Sequence, residues 1–341
     1  NLVAYDELDS AKSRQPYENA KAMPMSFEDE GVERPGQFIV TSTRVNVRGL
    51  MQRALDEALE AGIPIFEWCI LDTIKPCCDD MPDCQHAAFL KPYWPENAGR
   101  PAGWRSVADV ERHYRRAAQD TWLAQYLCRK PELGQLIYGN FSDNNIDAGK
   151  AEYKKGQTIL LGGDWGFTDP CHITLCQLRD DLPGGPALTQ FDEIVVKGKS
   201  ERDVAREIIR RLTELPDYEG PSLEEWHRMW DGKDSWPHPW PATWPDWAAL
   251  DPSAAQLRFE LREHGITCKK PSTVKHHVVE GQQVMRSLIQ TADGLRRFYV
   301  HPRCQHTIIG FQNYQSVKLA DGTYGERPDA DPNNHRFSHG P

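Results

Sequence analysis

The feature that most constrains the fold is a series of short apolar runs that begins at Thr158. Residues 158–163 form the first run, which ends at Asp164; two more, around 173–175 and 191–196, follow after short turns. Runs of this length between turn residues predict strands. Because the connections are short, the three runs together predict an antiparallel meander.

Helical and strand patterns alternate after this meander. Ser200 with Asp203 predicts a capped helix, and Ser253 with Gln256 predicts the start of another. Strands are predicted at 248–250, 266–268 and 298–300, and helices at 200–212, 253–264, 274–289 and 304–314. Between them, residues 226–247 are rich in Trp and Pro and predict a loop. The order of elements is close to the ribonuclease H arrangement, a mixed sheet with helices on both faces.

Two aspartates at predicted strand ends are candidates for a catalytic metal site. Asp164 and Asp251 each follow an apolar strand, and glycines at 162, 163 and 166 suggest room for close approach of a substrate. If the two strands are neighbours, both carboxylates converge on one edge of the sheet. Hard oxygen ligands of this kind suit two Mg²⁺ or Mn²⁺ ions that hydrolyse a phosphodiester. Each aspartate alone would equally suit a turn residue or a helix cap.

The front of the chain has a different pattern. An apolar run at 2–5 ends in Asp6 and Glu7, a second strand at 38–40 leads into Thr41, Ser42 and Thr43, and an amphipathic helix at 47–58 follows with Gly62 as its cap. This order suits the last part of an α/β nucleotide-binding domain. Residues 68–105 predict an irregular insert, and a helix capped by Ser106 is predicted to run to about Cys128.

Three segments are therefore predicted. Residues 1–130 form the first domain, 131–156 a linker, and 157–341 the second domain. With 341 residues and a hydrophobic fraction of 39%, the chain is long enough for two cores. The net charge of −10 argues against bulk electrostatic gripping of nucleic acid. Nine cysteines, an odd number, suit a reducing compartment such as the cytoplasm.

Several segments together resemble the large subunit of phage DNA-packaging terminases. GGDWGFTDP at 162–170, LDPSAAQL at 250–257, and the stretches 275–284 and 304–314 look like successive blocks of the family's nuclease. LVAYDEL at 2–8 is similar to the Walker B strand of the motor, VTSTR at 40–44 to its coupling motif, and WLAQYLCRKP at 122–131 to the segment that joins motor and nuclease. The resemblance covers nearly the whole chain.

The resemblance implies a partial P-loop-type ATPase domain followed by a ribonuclease H-like nuclease domain. It implies that Asp6 polarises Mg²⁺-bound water, that Glu7 activates water on ATP, and that Thr41, Ser42 and Thr43 couple hydrolysis to movement. The implied partners are double-stranded DNA, a portal protein, a small terminase subunit and further copies in a ring. The implied location is the host cytoplasm.

The sequence departs from the family at two places. No complete G-x-x-x-x-G-K-[ST] loop occurs, so the phosphate-cradling half of an ATP site is missing from this chain. The family's last nuclease residue is an Asp three positions after a His, whereas Ser338 stands three positions after His335. Asp331, or Asp329, is the candidate for the third metal ligand in its place.

A cluster of cysteines lies in the irregular insert. Cys69, Cys77, Cys78 and Cys84, with His86 close by, could hold Zn²⁺ in a segment too short to bury a core. Their spacing is not that of paired zinc knuckles, so they could also be small loop residues.

Other functions are compatible with parts of the pattern. Transposases and junction resolvases share the ribonuclease H-like fold but lack the Asp6-Glu7 and Thr41–Thr43 strands. A third possibility is an assembly subunit without catalytic activity that docks on a portal.

Overall fold

The computed structural model describes most of the chain in two compact units. The described residues are 2–6, 8, 15–24, 26–29, 32–34, 36–42, 50–78, 83–94, 103–129, 135–166, 170–234, 240–269, 277–320 and 324–329. The first unit comprises residues 1–133, 291–293 and 319–326, and the second comprises 134–290, 294–318 and 327–341. The fold is mixed α/β in both.

The first unit opens with a parallel strand pair. Its elements are β1 (Leu2–Asp6), α1 (Gln15–Lys21), β2 (Phe27–Asp29), β3 (Val32–Arg34), β4 (Gln37–Thr41) and α2 (Leu50–Ala61). Strands β1 and β4 pair in parallel with Asp6 opposite Thr41. Gly62 ends α2 with φ +64°, a left-handed conformation that favours glycine, as the sequence predicts.

The insert has its own apolar cluster. The 3-10 helices Ile70–Thr73 and Gln85–Tyr93 pack with α3 (Val107–Tyr114), which Ser106 caps as predicted. The prediction of one helix from Ser106 to about Cys128 is wrong, because α4 (Gln119–Thr121) and the π-helix Trp122–Tyr126 are separate from α3. Ala118 is extended and bridges Thr291, so a long-range pairing interrupts the helix.

The second unit is built on a six-stranded mixed sheet. Its strands are β5 (Thr158–Asp164), β6 (Cys171–Arg179), β7 (Ala187–Val196), β8 (Trp247–Leu250), β9 (Cys268–Lys269) and β10 (Phe298–Val300). Their order is β10-β7-β6-β5-β8-β9. Strands β5, β6 and β7 are antiparallel, which confirms the predicted meander. The pairs β5–β8, β8–β9 and β7–β10 are parallel.

Helices cover both faces of this sheet. They are α5 (Ala148–Ala151), α6 (Glu201–Thr213), α7 (Leu223–Trp230), α8 (Ala255–Glu263), α9 (His277–Ile289) and α10 (Gln305–Asn313), followed by β11 (Ser316–Lys318) and β12 (Tyr324–Pro328). Ile194 of β7 packs in one core with Ile208 of α6, whereas Glu193, its neighbour, hydrogen-bonds the first turn of α10. Because adjacent strand residues point to opposite faces, α6 and α10 lie on opposite sides.

Two stretches are more ordered than the sequence predicts. The segment 226–247, predicted as a loop, begins inside α7, and Trp226 is fully buried and stacks on Trp244 at 5.0 Å. Burying a large indole ring removes much apolar surface from water and is therefore favourable in free energy. The tryptophans of this segment thus pack in the core. Most of the predicted linker 131–156 belongs to the second unit, since Tyr138 and Phe141 are buried in its core.

Among the described helices, none is long and apolar enough to cross a membrane.

Candidate metal centre

Asp164 and Asp251 meet at one edge of the sheet. Strands β5 and β8 are parallel neighbours with Gly163 opposite Leu250, and the N–H of Asp251 donates to the Gly163 carbonyl at 2.9 Å. The backbones of Asp164 and Asp251 therefore follow directly after the last paired residues of two neighbouring strands, at the same edge of the sheet. Both residues are half-buried.

The turn after β8 orients the Asp251 carboxylate. Its Oδ1 accepts hydrogen bonds from the backbone N–H of Ser253 at 2.6 Å and from the Ser253 hydroxyl. The guanidinium of Arg258 donates to the Asp251 carbonyl at 2.5 Å and to the Pro252 carbonyl at 3.0 Å. Asp251 is thus a turn residue, as its Asp-Pro-Ser sequence suggests. The same hydrogen bonds restrict the rotation of its carboxylate.

The glycines beside Asp164 are explained by sheet packing. A Cβ at Gly163 would lie 2.6 Å from side-chain carbons of both Ile173 and Leu250, and a Cβ at Gly162 would lie 2.6 Å from Thr174 Oγ1. Neighbouring side chains therefore already fill the space that the sequence interpretation assigned to substrate. Glycine at 163 lets β5 approach both of its neighbours on the core face.

A buried polar cluster lies on the same face as Asp164. His172, opposite Asp164 on β6, pairs through Nε2 with Glu193 of β7 at 3.0 Å, and the side chains are 0% and 10% exposed. Glu193 also accepts hydrogen bonds from the backbone N–H groups of His306 and Thr307 at 2.8 and 3.0 Å. The hydroxyl of Thr307 donates to Glu193 at 2.9 Å. Glu193 thus joins the sheet to the first turn of α10.

The sequence interpretation missed this cluster, although one signal was present. Glu193 is a charged residue within an apolar strand, and such a residue is buried only with partners. Burial alone raises the pKa of Glu193, but the hydrogen bonds from His172, His306 and Thr307 outweigh it and hold the pKa below its usual value. The carboxylate is therefore ionised in the folded chain at neutral pH.

The negative charge of Asp164 contributes to the raised pKa values of two other groups. Burial, followed by the carboxylates of Asp164 and Glu201, raises the pKa of the Cys171 thiol to about 12. Burial and then Asp164 raise the pKa of Tyr314 to about 12. Both groups are neutral at physiological pH, so neither adds a negative charge to that of Asp164.

The tail of the chain is only partly described. The N–H of Asp329 donates to the carbonyl of Gln315 at 3.0 Å, one residue after Tyr314. This contact brings the backbone of Asp329 to the end of α10. Asp331, His335 and Ser338 lie outside the described residues.

Solved structures with this fold come from phage packaging enzymes. The large terminase of thermophilic bacteriophage D6E (crystal form 2) matches 99% of this chain and 68% of its own, with a TM-score of 0.60 and 12% identity. Its complex with ATP-gamma-S (crystal form 3) matches 99% and 69%, with a TM-score of 0.58 and 12% identity. This chain has the fold of a phage large terminase.

The coverage and the sequence identity of these matches determine what they show about this chain. In a further structure of the D6E protein the match covers 67% of this chain and 50% of that one, with 14% identity and a TM-score of 0.47. This chain thus spans between half and about two thirds of the terminase structures. No protein-family model and no curated protein matches it. At such identities the likeness establishes the fold alone.

In the terminase fold, Asp6 and Thr41 lie together at the front of the first unit. They end the parallel strands β1 and β4, and the Thr41 hydroxyl donates to the Asp6 carboxylate. Ser42 follows directly. Glu7 and Thr43 lie outside the described residues. Gly198, Lys199 and Ser200 repeat the end of a phosphate-binding loop, but Glu193 occupies the place of its first glycine, and Ser200 caps α6.

The cysteines of the insert separate into two groups. Cys69 caps the 3-10 helix Ile70–Thr73 and does not belong to the group of donor atoms that Cys77, Cys84 and His86 form. Cys77 Sγ lies 3.1 Å from Cys84 Sγ and 3.8 Å from Cys78 Sγ. The hydrogen bond with Cys84 raises the pKa of the Cys77 thiol to about 12, and the bond with Cys77 lowers the pKa of Cys84.

Proposed function

We propose that this chain is part of a phage terminase large subunit and that its second unit is an endonuclease for double-stranded DNA. One observation carries the proposal: Asp164 ends β5 and Asp251 directly follows β8, its parallel neighbour, so both aspartates lie at the same edge of the sheet. The terminase fold supports it. Transposases and resolvases are less suited, because they lack the strand pair that ends in Asp6 and Thr41.

The donor set fits divalent metal ions with a preference for oxygen. Asp164 and Asp251 would hold two Mg²⁺ or Mn²⁺ ions, which prefer carboxylate oxygens. When bound about 3.5–4 Å apart, such ions activate water and stabilise the leaving oxygen of a phosphodiester. Two aspartates supply two negative charges against four on the ions. We therefore propose Asp331 as a third ligand, with Asp329 as the alternative.

A plasmid-nicking assay tests the proposed nuclease. The purified chain is expected to convert supercoiled plasmid to open-circular and linear DNA in the presence of Mn²⁺ or Mg²⁺. Chelation should stop the reaction, and added Mn²⁺ should restore it, because the metal supplies the chemistry and the carboxylates only hold it. Failure of the folded chain to cut DNA at any Mn²⁺ or Mg²⁺ concentration would contradict the proposal.

The first unit contributes half of an ATP site in this proposal. Asp6 would polarise Mg²⁺-bound water, Glu7 would activate the attacking water, and Thr41, Ser42 and Thr43 would couple hydrolysis to movement. A D6E terminase structure contains ATP-gamma-S, which supports nucleotide binding by the intact protein.

The chain by itself is expected to show no steady-state ATPase activity. It lacks the complete loop whose backbone N–H groups and lysine hold the β- and γ-phosphates. A phosphate-release assay, with Glu7→Gln as the control for contaminating activity, measures this. ATP turnover that Glu7→Gln abolishes would show that this chain forms a complete site in another way.

The proposed partners follow from the function. Double-stranded DNA is the substrate, and a portal protein, a small terminase subunit and further copies in a ring would complete the motor. The proposed location is the host cytoplasm, where phage DNA is packaged. Pull-down of portal protein by the purified chain measures the first of these contacts.

A further inference from the structure

Three potential metal ligands of the insert converge in the first unit. One donor atom from each of Cys77, Cys84 and His86 lies within 4.8 Å of the other two. Tetrahedral zinc with bonds of about 2.3 Å to sulfur and 2.0 Å to nitrogen places two sulfur donors about 3.8 Å apart and a sulfur and a nitrogen about 3.5 Å apart. Cys77 Sγ and Cys84 Sγ are 3.1 Å apart, so the two side chains would move apart by about 0.7 Å to bind the ion.

The described residues around these ligands are exposed or half-buried. Ile74 and Ala87 are both fully buried, but none of the described residues between them is buried. Two 3-10 helices flank the segment and both enter the apolar cluster of the insert. A stretch that cannot bury apolar side chains is commonly held by a metal or a disulfide.

Cys84 is well placed to act as a thiolate ligand. It is the N-cap residue of the 3-10 helix Gln85–Tyr93, and its side chain makes no capping hydrogen bond there. Cys77 is exposed and Cys84 half-buried, which leaves the cluster accessible to a metal from solution. Cys78 Sγ, 3.8 Å from Cys77 Sγ, is the nearest further donor.

We propose that Cys77, Cys84 and His86 bind one structural Zn²⁺ ion and that Cys78 completes the tetrahedron. Thiolate and imidazole ligands select zinc over the Mg²⁺ and Mn²⁺ that carboxylates prefer. The ion would link the end of the first 3-10 helix to the start of the second. The site does not depend on the proposed nuclease, which lies in the other unit.

Elemental analysis of the full chain, purified without chelator from zinc-supplemented medium, tests the site. We expect about one zinc per chain in the wild type and loss of zinc in Cys77→Ser, Cys84→Ser and His86→Ala. Cys69→Ser and Cys128→Ser are the matched controls and should keep the metal, since neither thiol belongs to the cluster. Cys78→Ser should keep zinc with lower affinity.

A second measurement separates metal binding from failure to fold. Co²⁺ added to the wild-type chain freed of zinc should give the visible spectrum of a tetrahedral thiolate site, and Zn²⁺ should displace it. Wild-type protein without zinc and without this spectrum would overturn the proposal. A Cys77–Cys84 disulfide in freshly purified protein, seen as a loss of two hydrogens by mass spectrometry, would also overturn it. A Cys78→Ser variant with unchanged zinc affinity would remove Cys78 from the ligand set.

Discussion

Asp164→Asn is expected to reduce plasmid nicking by at least about 100-fold, because even residues that only orient a metal ligand cost 10–100-fold when mutated. Asparagine keeps the size of the side chain but removes the negative charge that hard cations require. Asp164 ends a paired strand at a half-buried position, so the substitution should leave the sheet intact. Initial rates of nicking at saturating Mn²⁺, with circular dichroism as the check on folding, measure the effect.

Two further variants sharpen this test. Asp251→Asn should lower nicking by a similar factor, and the double variant should be hardly worse than either single one, because both carboxylates serve the same metal pair. Asp231→Asn is the matched control, since this exposed carboxylate pairs with Lys233 at the end of α7. Nicking by Asp164→Asn at the wild-type rate would remove Asp164 from the site.

Whether β5 and β8 are neighbours was left open by the sequence and is shown by the sheet order. The strand ends at Asp164 and at residue 250, by contrast, could be predicted, because each depends on a local apolar run. The capped helices after Ser106 and Ser200 were predictable for the same reason, since a cap depends on residues three positions apart. These signals lie within a few residues of the feature they specify.

The features that the sequence interpretation missed depend on distant partners. Ala118 interrupts a helical pattern because it forms a β-bridge with Thr291. Trp226 places α7 in the core because its ring stacks with those of Trp240 and Trp244. Glu193 is bound by residues 113 and 114 positions away. No local pattern encodes contacts of that separation, so they emerge only when the sheet order is known.

Glu193→Ala is expected to destabilise the chain by about 3–5 kcal/mol, because several buried donors lose their charged acceptor and each unsatisfied donor costs about 1–3 kcal/mol. The variant leaves His172, with its fully buried side chain, and two backbone N–H groups of α10 without their acceptor. Urea unfolding followed by tryptophan fluorescence measures the loss. Glu193→Gln keeps one acceptor oxygen and should cost less, about 1–3 kcal/mol.

The difference between wild type and Glu193→Ala should also depend on pH. Because the pKa of Glu193 is lowered in the folded chain, its carboxylate stabilises the fold above the unfolded pKa of about 4.3. That contribution is lost as the pH falls through the pKa that Glu193 has in the folded chain. The free energies of unfolding of wild type and Glu193→Ala should therefore converge in acid. Glu219→Ala, at a side chain that is 85% exposed, should match the wild type throughout. A Glu193→Ala variant as stable as the wild type at pH 7 would mean that α10 is held without this carboxylate. The buried cluster beside Asp164 would then be incidental to the placement of the helix.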